Sequence, residues 1–147
     1  LYMEDLRSWY GEKVASDYYE LRNKAMQLLQ KEAELQAIVQ LIGSDALPDR
    51  ERLVLEVTKM IREDFLQQNS YDEIDVYSSL KKQYGMLKVI LHFYDKALIA
   101  LNSDVPYDRI ANVKEKQAIS LIKRQKEEEA QKSISEIMKS LDTAFMK

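Results

Sequence analysis

Residues that interrupt helices are scarce in this chain, which has only three glycines and two prolines among 147 residues. Both counts are far below ordinary usage. From Asp17 to Ile42, apolar side chains recur at three- and four-residue steps, as they do on one face of a helix. No stretch shows a convincing alternation of period two, so no strands are expected. The chain is therefore predicted to be an all-α bundle of about five helices with a long C-terminal helix.

The few glycines and prolines mark predicted helix ends. Gly43 follows the first helix at the position where a left-handed C-cap is expected. Pro48 suits the first turn of a second helix, which is predicted to reach about Leu66. Further helices are predicted over 80–101 and, starting with a proline, over 106–111.

The last predicted helical stretch begins near Val113 and continues toward the C-terminus. Its middle, "KRQKEEEAQKS", contains almost no apolar residue. A helix that is polar all round has no face to bury. We therefore expect this part to be surrounded by solvent or frayed.

Charge and cysteine content exclude several functional classes. The formal net charge is only -3 and no basic face is obvious, which argues against binding to nucleic-acid phosphates. The chain has no cysteine, so disulfides and thiolate metal sites are excluded. No stretch approaches the roughly 20 apolar residues that span a bilayer. Because the chain begins with Leu1 rather than methionine, we expect it to be a domain of a longer protein.

No catalytic or metal-binding motif is visible. The single histidine, His92, lies among apolar helical positions, and we interpret it as a packed helix residue rather than a general base. Glu127–Glu129 are consecutive, which spreads their carboxylates around a helix and favours a solvated face over a cation site. The acids within 72–75 lack the pattern of an EF-hand loop. We therefore expect no catalytic residue and no metal site in this chain.

Two polar segments are not easily explained by packing. "GSDALPDRE" lies between the first two predicted helices, and "FLQQNSY" follows the end of the second. The residues of the first segment do not distinguish a plain helix connector from a functional turn. For the second, the residues alone favour a solvated loop with aromatic side chains at its ends.

The order of these features resembles a known family. The stretch from "AELQAIVQLIGSDALP" through "IREDFLQQN" to "HFYDKAL" is similar to the C-terminal helical domain of the catalytic A subunit of bacterial and archaeal V/A-type rotary ATPases. "LYMEDLRSWY" resembles the family's connection to its nucleotide-binding domain. The resemblance covers 1–101 and weakens after Pro106. It implies a connection over 1–16, a helical bundle core over 17–104 and a variable C-terminal helical extension over 105–147.

The resemblance also implies what the parent protein does. The parent is expected to hydrolyse or synthesise ATP in an ion-translocating rotary ATPase, with an upstream P-loop domain that binds ATP or ADP with Mg. Its expected partners are B subunits in an alternating A3B3 ring and the subunits of the central shaft, with neither nucleic acid nor direct membrane insertion. The complex is expected on the cytoplasmic face of the cell membrane, as a peripheral assembly. The fragment alone is expected to bind no cofactor and to be inactive.

The resemblance assigns the second polar segment to the nucleotide. In the family, the end of the second helix and the loop after it close over the adenine. An aromatic face stacks on a base with roughly 1–3 kcal/mol, and amides offer both donors and acceptors to an adenine edge. Tyr71 stands where the family usually has Phe, and Ser70 replaces the more usual Ala. The implied adenine-binding residues are Phe65, Gln67, Gln68, Asn69, Ser70 and Tyr71.

The first polar segment is mechanical in the family, where this turn presses on the rotating shaft. Short polar side chains there avoid a large apolar contact with the moving partner. The second helix then forms a stiff arm of roughly 28 Å between nucleotide and shaft, and Thr58 and Lys59 are expected on its exposed side. The implied shaft-contact residues are Ser44, Asp45, Ala46, Leu47, Pro48, Asp49 and Arg50.

A function of a different class is also open. The chain can be a free-standing helical adaptor that binds partner helices, which suits the polar helix around "KRQKEEEAQKS". A stand-alone enzyme is a third hypothesis, and the missing motifs argue against it. An upstream P-loop in the same polypeptide separates the first hypothesis from the other two.

Overall fold

The computed structural model describes the backbone of residues 2–66 and 80–146, and the side chains of residues 17–66 and 81–146. Over these ranges the chain forms helices and no strand, which confirms the predicted all-α class. The helices are α1 (Tyr2–Ile42), α2 (Asp49–Met60), α3 (Leu80–Asn102), α4 (Tyr107–Ala111), α5 (Lys114–Leu121) and α6 (Glu127–Thr143).

α1 is longer than the apolar periodicity predicts. The pattern places its start near Asp17, whereas the helix begins at Tyr2 and runs for 41 residues. The added stretch contains one glycine, Gly11, and no proline. A single glycine costs a helix only about 1 kcal/mol, so it does not end this one. Segment 1–16 stays a predicted connection, and the backbone from Tyr2 onward continues into the bundle as one helix.

Gly43 ends α1 with a φ of 86° and a ψ of 157°. The positive φ requires glycine, as predicted, although the ψ lies outside the left-handed helical region that we expected. The N–H of Gly43 donates to the carbonyl of Val39 over 2.8 Å, so the end of the helix is closed. Pro48 is the N-cap of α2, one position before the first helical residue.

α3 is the central helix of the bundle. α1, α2 and α6 pack around it, and side chains on most of its faces are buried. A helix that is apolar on most sides belongs in the interior. Tyr18 of α1 meets Tyr84 of α3 edge to face, with ring centroids 5.9 Å apart. The buried side chains of α3 are Met86, Leu87, Val89, Ile90, Leu91, Phe93, Ala97 and Ala100.

The C-terminal region contains two helices rather than one continuous helix. α5 ends in a 3-10 turn, Ile122–Arg124, and extended backbone at Gln125 and Lys126 separates it from α6. The expectation of a solvated or frayed helix is wrong for α6, whose side chains Ala130, Ile134, Ile137 and Leu141 are buried. The polar run in the sequence spans the break and the exposed first turn of α6. The carboxylates of Glu127–Glu129 lie there, where the helix dipole favours negative charge.

Candidate functional site

The α1–α2 turn (residues 43–48) contains a short 3-10 helix, Ser44–Ala46, whose side chains are exposed. The predicted shaft-contact residues after it are also exposed, with one exception. The side chain of Leu47 is only 6% exposed and packs into the core. Leu47 therefore holds the turn against the bundle, and the other predicted residues form the surface.

The opposite side of this surface is formed by the connection between α3 and α4. Arg50 donates through Nη2 to Oδ1 of Asn102, which joins the start of α2 to the end of α3. Asp104 has a φ of 68°, and the N–H of Val105 donates to the carbonyl of Ala100 over 3.0 Å. These bonds close α3 in a Schellman motif. An open groove of about 580 Å³ therefore lies between two fixed loops.

Apolar side chains adjoin the α1–α2 turn. Leu41 is 85% exposed, Ile42 63% and Ile38 39%. Short polar side chains were predicted for the α1–α2 turn alone, whereas the last turns of α1 beside it expose large apolar side chains. Exposed apolar side chains this close together are typical of contact surfaces.

α2 and the turn after it connect the two predicted sites. α2 ends at Met60 and continues as one π-helical turn, Ile61–Leu66. The expected exposure of Thr58 is wrong, because its side chain is 0% exposed and its Oγ1 donates to Oε2 of Glu32 over 2.8 Å. Lys59 is exposed as expected. A polar threonine in a helical pattern is predicted to face solvent. The pattern does not reveal its buried position, because its partner lies 26 residues away.

Glu32 joins α1 to α2 through polar contacts. Its carboxylate accepts hydrogen bonds from Thr58 and from Nη1 of Arg62. The side chain of Glu32 is only 13% exposed. Hydrogen bonds to an ionised group in such surroundings are stronger than bonds between neutral groups. Packing and these bonds together hold the two helices as one unit.

The predicted adenine-binding segment begins at the end of the π turn. Phe65, its first residue, is half-buried and packs against the core, while Leu66 is 53% exposed. The remaining predicted residues, Gln67, Gln68, Asn69, Ser70 and Tyr71, lie outside the described residues. Single π-helical turns occur frequently at functional sites. The structure therefore places the approach to this segment, and the adenine assignment stays a prediction.

Asp64 is a buried carboxyl group, which the sequence pattern did not predict. Asp64 lies in the π turn, and the residue is only 6% exposed. Burial raises the pKa of Asp64 above its ordinary value of 3.8, and Lys123, with Nζ 3.6 Å from Oδ1, opposes that change. Lys123 lies on the C-terminal 3-10 turn, far away in the sequence. Helical periodicity carries no signal for such a pair.

Asp64 makes the folded chain less stable as pH rises. Its folded pKa lies above 3.8, so the folded state keeps this proton after the unfolded state has lost it. As pH rises above 3.8, we therefore expect the unmodified chain to lose stability relative to Asp64→Asn, which has no proton to release at this position. Urea unfolding at several pH values measures this difference.

Asp142→Asn is the control for this pH series. A hydrogen bond with His92 lowers the pKa of Asp142 below 3.8. Asp142 therefore adds stability that is lost only as pH falls below about 4. Above that pH the curve of Asp142→Asn is expected to stay parallel to that of the unmodified chain, and the opposite slope is expected only below it. Parallel curves for Asp64→Asn and the unmodified chain would contradict the expectation.

The other candidate chemical groups form no site of their own. Nε2 of His92 is 2.8 Å from Oδ1 of Asp142, in keeping with the interpretation of a packed helix residue. Among the described side chains, no group of three or more histidine, aspartate or glutamate residues is placed to hold a metal ion. Within the same part of the chain, no helix combines the length and the apolar character needed to cross a bilayer.

Sequence comparisons show the family to which this helical fold belongs. A family model described as the C-terminal domain of V and A type ATP synthase matches residues 7–111. The chain belongs to this family. The A subunit of the A-type ATP synthase from Methanopyrus kandleri is 49% identical over 99% of the chain. One of the A subunits of the A-type ATP synthase from Methanospirillum hungatei is 47% identical over 94% of the chain.

The relatives are much longer than this chain, and their matches differ in how far they extend along it. The chain spans about a quarter of these relatives, with 24% of each covered. The corresponding protein from Methanococcus maripaludis is 59% identical, but over only 69% of the chain. The match to the Methanopyrus kandleri protein covers 145 residues of the chain and so extends well beyond residue 111, where the family model ends. The C-terminal helices are therefore shared with at least some relatives.

Proposed function

We propose that this chain is the C-terminal domain of a subunit that hydrolyses or synthesises ATP in an ion-translocating rotary ATPase. The proposal rests on one observation in a chain of this family, which is that α2 and its π turn connect the two predicted sites. The helix begins at the exposed α1–α2 turn and its π turn leads into the predicted adenine segment. The similarity to the much longer A subunits of A-type ATP synthases favours this function over a free-standing adaptor.

The nucleotide role is to cover the adenine of ATP or ADP. Phosphate groups and Mg would be bound by the upstream domain, and this chain would supply Tyr71 for stacking and the amides of 67–69 for the base edge. Phe65, which packs against the core, would support that surface. Since this chain lacks a P-loop motif, we expect no ATP hydrolysis by the chain alone.

The mechanical role is to transmit closure of the nucleotide site to the central shaft. The α1–α2 turn would contact the shaft, and α2 would carry the displacement, because Glu32 and the core hold it as a rigid unit with α1. The exposed side chains of Leu41 and Ile42 extend the contact surface beyond the polar turn. In this proposal, B subunits complete an A3B3 ring on the cytoplasmic face of the membrane.

The adenine assignment is tested with Tyr71→Ala in the full-length protein, assembled with its partner subunits. Loss of one stacking side chain is expected to raise the KM for ATP by roughly 5- to 150-fold, which corresponds to about 1–3 kcal/mol. Steady-state ATP hydrolysis measures KM and kcat. Inhibition by tripolyphosphate, which has no base, measures the phosphate site separately.

Tyr71→Phe is the matched control because it keeps the aromatic face and removes only the hydroxyl. Its KM for ATP is expected to stay within about twofold of the unmodified protein. Binding of tripolyphosphate is expected to be unchanged in both variants. An unchanged KM for ATP in Tyr71→Ala would overturn the adenine assignment.

A further inference from the structure

Residues 122–125, which join α5 to α6, contact the chain on both sides of the segment 67–79. On the N-terminal side, Nζ of Lys123 donates to the carbonyl of Glu63 over 2.9 Å. On the C-terminal side, Nζ of Lys82 donates to the carbonyls of Lys123 and Gln125 over 3.0 and 2.7 Å. One short turn is therefore bonded to the end of the π turn and to the start of α3.

The contact with α3 is made by a buried ammonium group. Lys82 is 1% exposed, so its charge needs polar partners to offset the loss of water. The carbonyls of Lys123 and Gln125 lie at the end of a 3-10 helix, where carbonyl groups have no helical donor. The ammonium of Lys82 supplies the donor that these carbonyls lack, and the carbonyls supply the polar partners that the buried ammonium needs. The position of residues 122–125 relative to α3 is fixed by this exchange.

The contact with the π turn is made by Lys123, whose side chain is 23% exposed. The carbonyl of Glu63 belongs to the π turn Ile61–Leu66, which follows α2 and where the helix dipole favours a cation. The Oδ1 atom of Asp64 lies 3.6 Å from the same ammonium. Lys123 thus holds two consecutive residues of the turn Ile61–Leu66.

We infer that Lys123 is a positioning residue for the nucleotide, which fixes the π turn from which the chain enters the predicted adenine segment. The inference rests on the proposed function. It assigns no contact between Lys123 and the nucleotide, because the ammonium donates to the carbonyl of Glu63 and forms an ion pair with Asp64. Lys123 lies beyond residues 7–111, so the C-terminal helices contribute to a site in the part of the chain that the family model covers.

The test is Lys123→Met in the full-length protein, assembled with its partner subunits. Methionine keeps an unbranched apolar side chain and removes the donors. We expect the KM for ATP to rise by about fivefold, as loss of a charged hydrogen bond near a site allows. We expect kcat to stay within about twofold and inhibition by tripolyphosphate to be unchanged, since the phosphate site does not depend on the π turn.

Three further variants separate positioning from a general loss of structure. Lys123→Arg keeps a donor for carbonyl and carboxylate groups and is expected to restore most of the ATP affinity. Lys132→Met, at an exposed position of α6, is the matched control and is expected to behave like the unmodified protein. Lys123→Gln, which keeps a polar side chain, replaces the methionine variant if that variant does not fold.

The double variant with Tyr71→Ala shows whether both residues act through the same segment. If they do, Lys123→Met raises the KM for ATP less in the Tyr71→Ala background than alone. A normal KM in Lys123→Met while Tyr71→Ala is impaired would overturn this inference and leave the proposed function standing. Equal losses in ATP and tripolyphosphate binding would also overturn it. A normal KM in Tyr71→Ala would count against the proposed function itself, and the inference would fall with it.

Discussion

Replacing Gly85 with leucine is expected to destabilise the 147-residue chain by about 3 kcal/mol, because the new side chain has no space. Gly85 is buried where α3 meets α6. A Cβ atom at this position would lie 2.4 Å from Cδ1 of Ile134 and 3.4 Å from its Cγ1 and Cγ2. Real Cβ atoms do not approach other heavy atoms to 2.4 Å, so α6 must move away or Ile134 must change its rotamer. Urea unfolding followed by circular dichroism measures the loss.

Ile134→Ala provides the control for this prediction. It removes the atoms that crowd Gly85, so Gly85→Leu is expected to cost less in that background than in the unmodified chain. Gly85→Ala is the milder variant, since only the terminal methyl of Ile134 lies within 3 Å of the added carbon. Its gain of about 1 kcal/mol in helix propensity offsets part of the contact. A leucine that costs the same in both backgrounds would show that crowding with Ile134 is not the cause.

Glu32→Ala is expected to lower the free energy of unfolding by about 2 kcal/mol, because it removes a charged acceptor from the Arg62 guanidinium and from the buried Thr58 hydroxyl. The hydroxyl then keeps only the carbonyl of Leu55, at 3.1 Å. Thr58 is 0% exposed and loses its bond to the carboxylate. The Arg62 side chain is 43% exposed and recovers water, which keeps the cost below that of a fully buried pair. The measurement is urea unfolding at neutral pH.

Glu34→Ala is the matched control, two positions along the same helix. Its carboxylate is 72% exposed and only 3.6 Å from Lys31 in an i,i+3 pair, so its removal is expected to cost less than about 0.5 kcal/mol. In the assembled complex, Glu32→Ala is expected to reduce torque as well, if α2 transmits closure to the shaft. Equal stabilities of the two variants would contradict the role of Glu32 in joining α1 to α2.

The helices were largely predictable because their signals are local. Gly43 marks the end of α1 and Pro48 the start of α2, each through its own backbone preference, at the positions that the sequence predicted. The extent of α1 was not predictable from periodicity, since the pattern reports burial rather than helicity. The division between α5 and α6 depends on Lys82, which bonds to carbonyls 41 and 43 residues away.

The candidate sites were predictable to different degrees. A resemblance to a family located both polar segments, and the structure describes the α1–α2 turn with its single buried residue, Leu47. The buried polar residues that hold α2 and its π turn in place were not predicted. Thr58 and Asp64 are polar residues at buried positions, and each is satisfied by a partner on another helix or turn. Such pairs follow from tertiary packing, which the spacing of residues along one helix does not encode.

The bonds made by residues 122–125 also set an order of events during synthesis. Lys123 lies 60 residues after Glu63 and 41 after Lys82 in the order of translation. At about 5–20 residues per second, several seconds separate the emergence of the π turn from that of the turn that holds it. Until then, α2 and α3 can pack through their apolar faces, but the ends of segment 67–79 have not acquired these bonds. A chain truncated before residue 122 therefore contains segment 67–79 but lacks the lysine contacts on both sides of it.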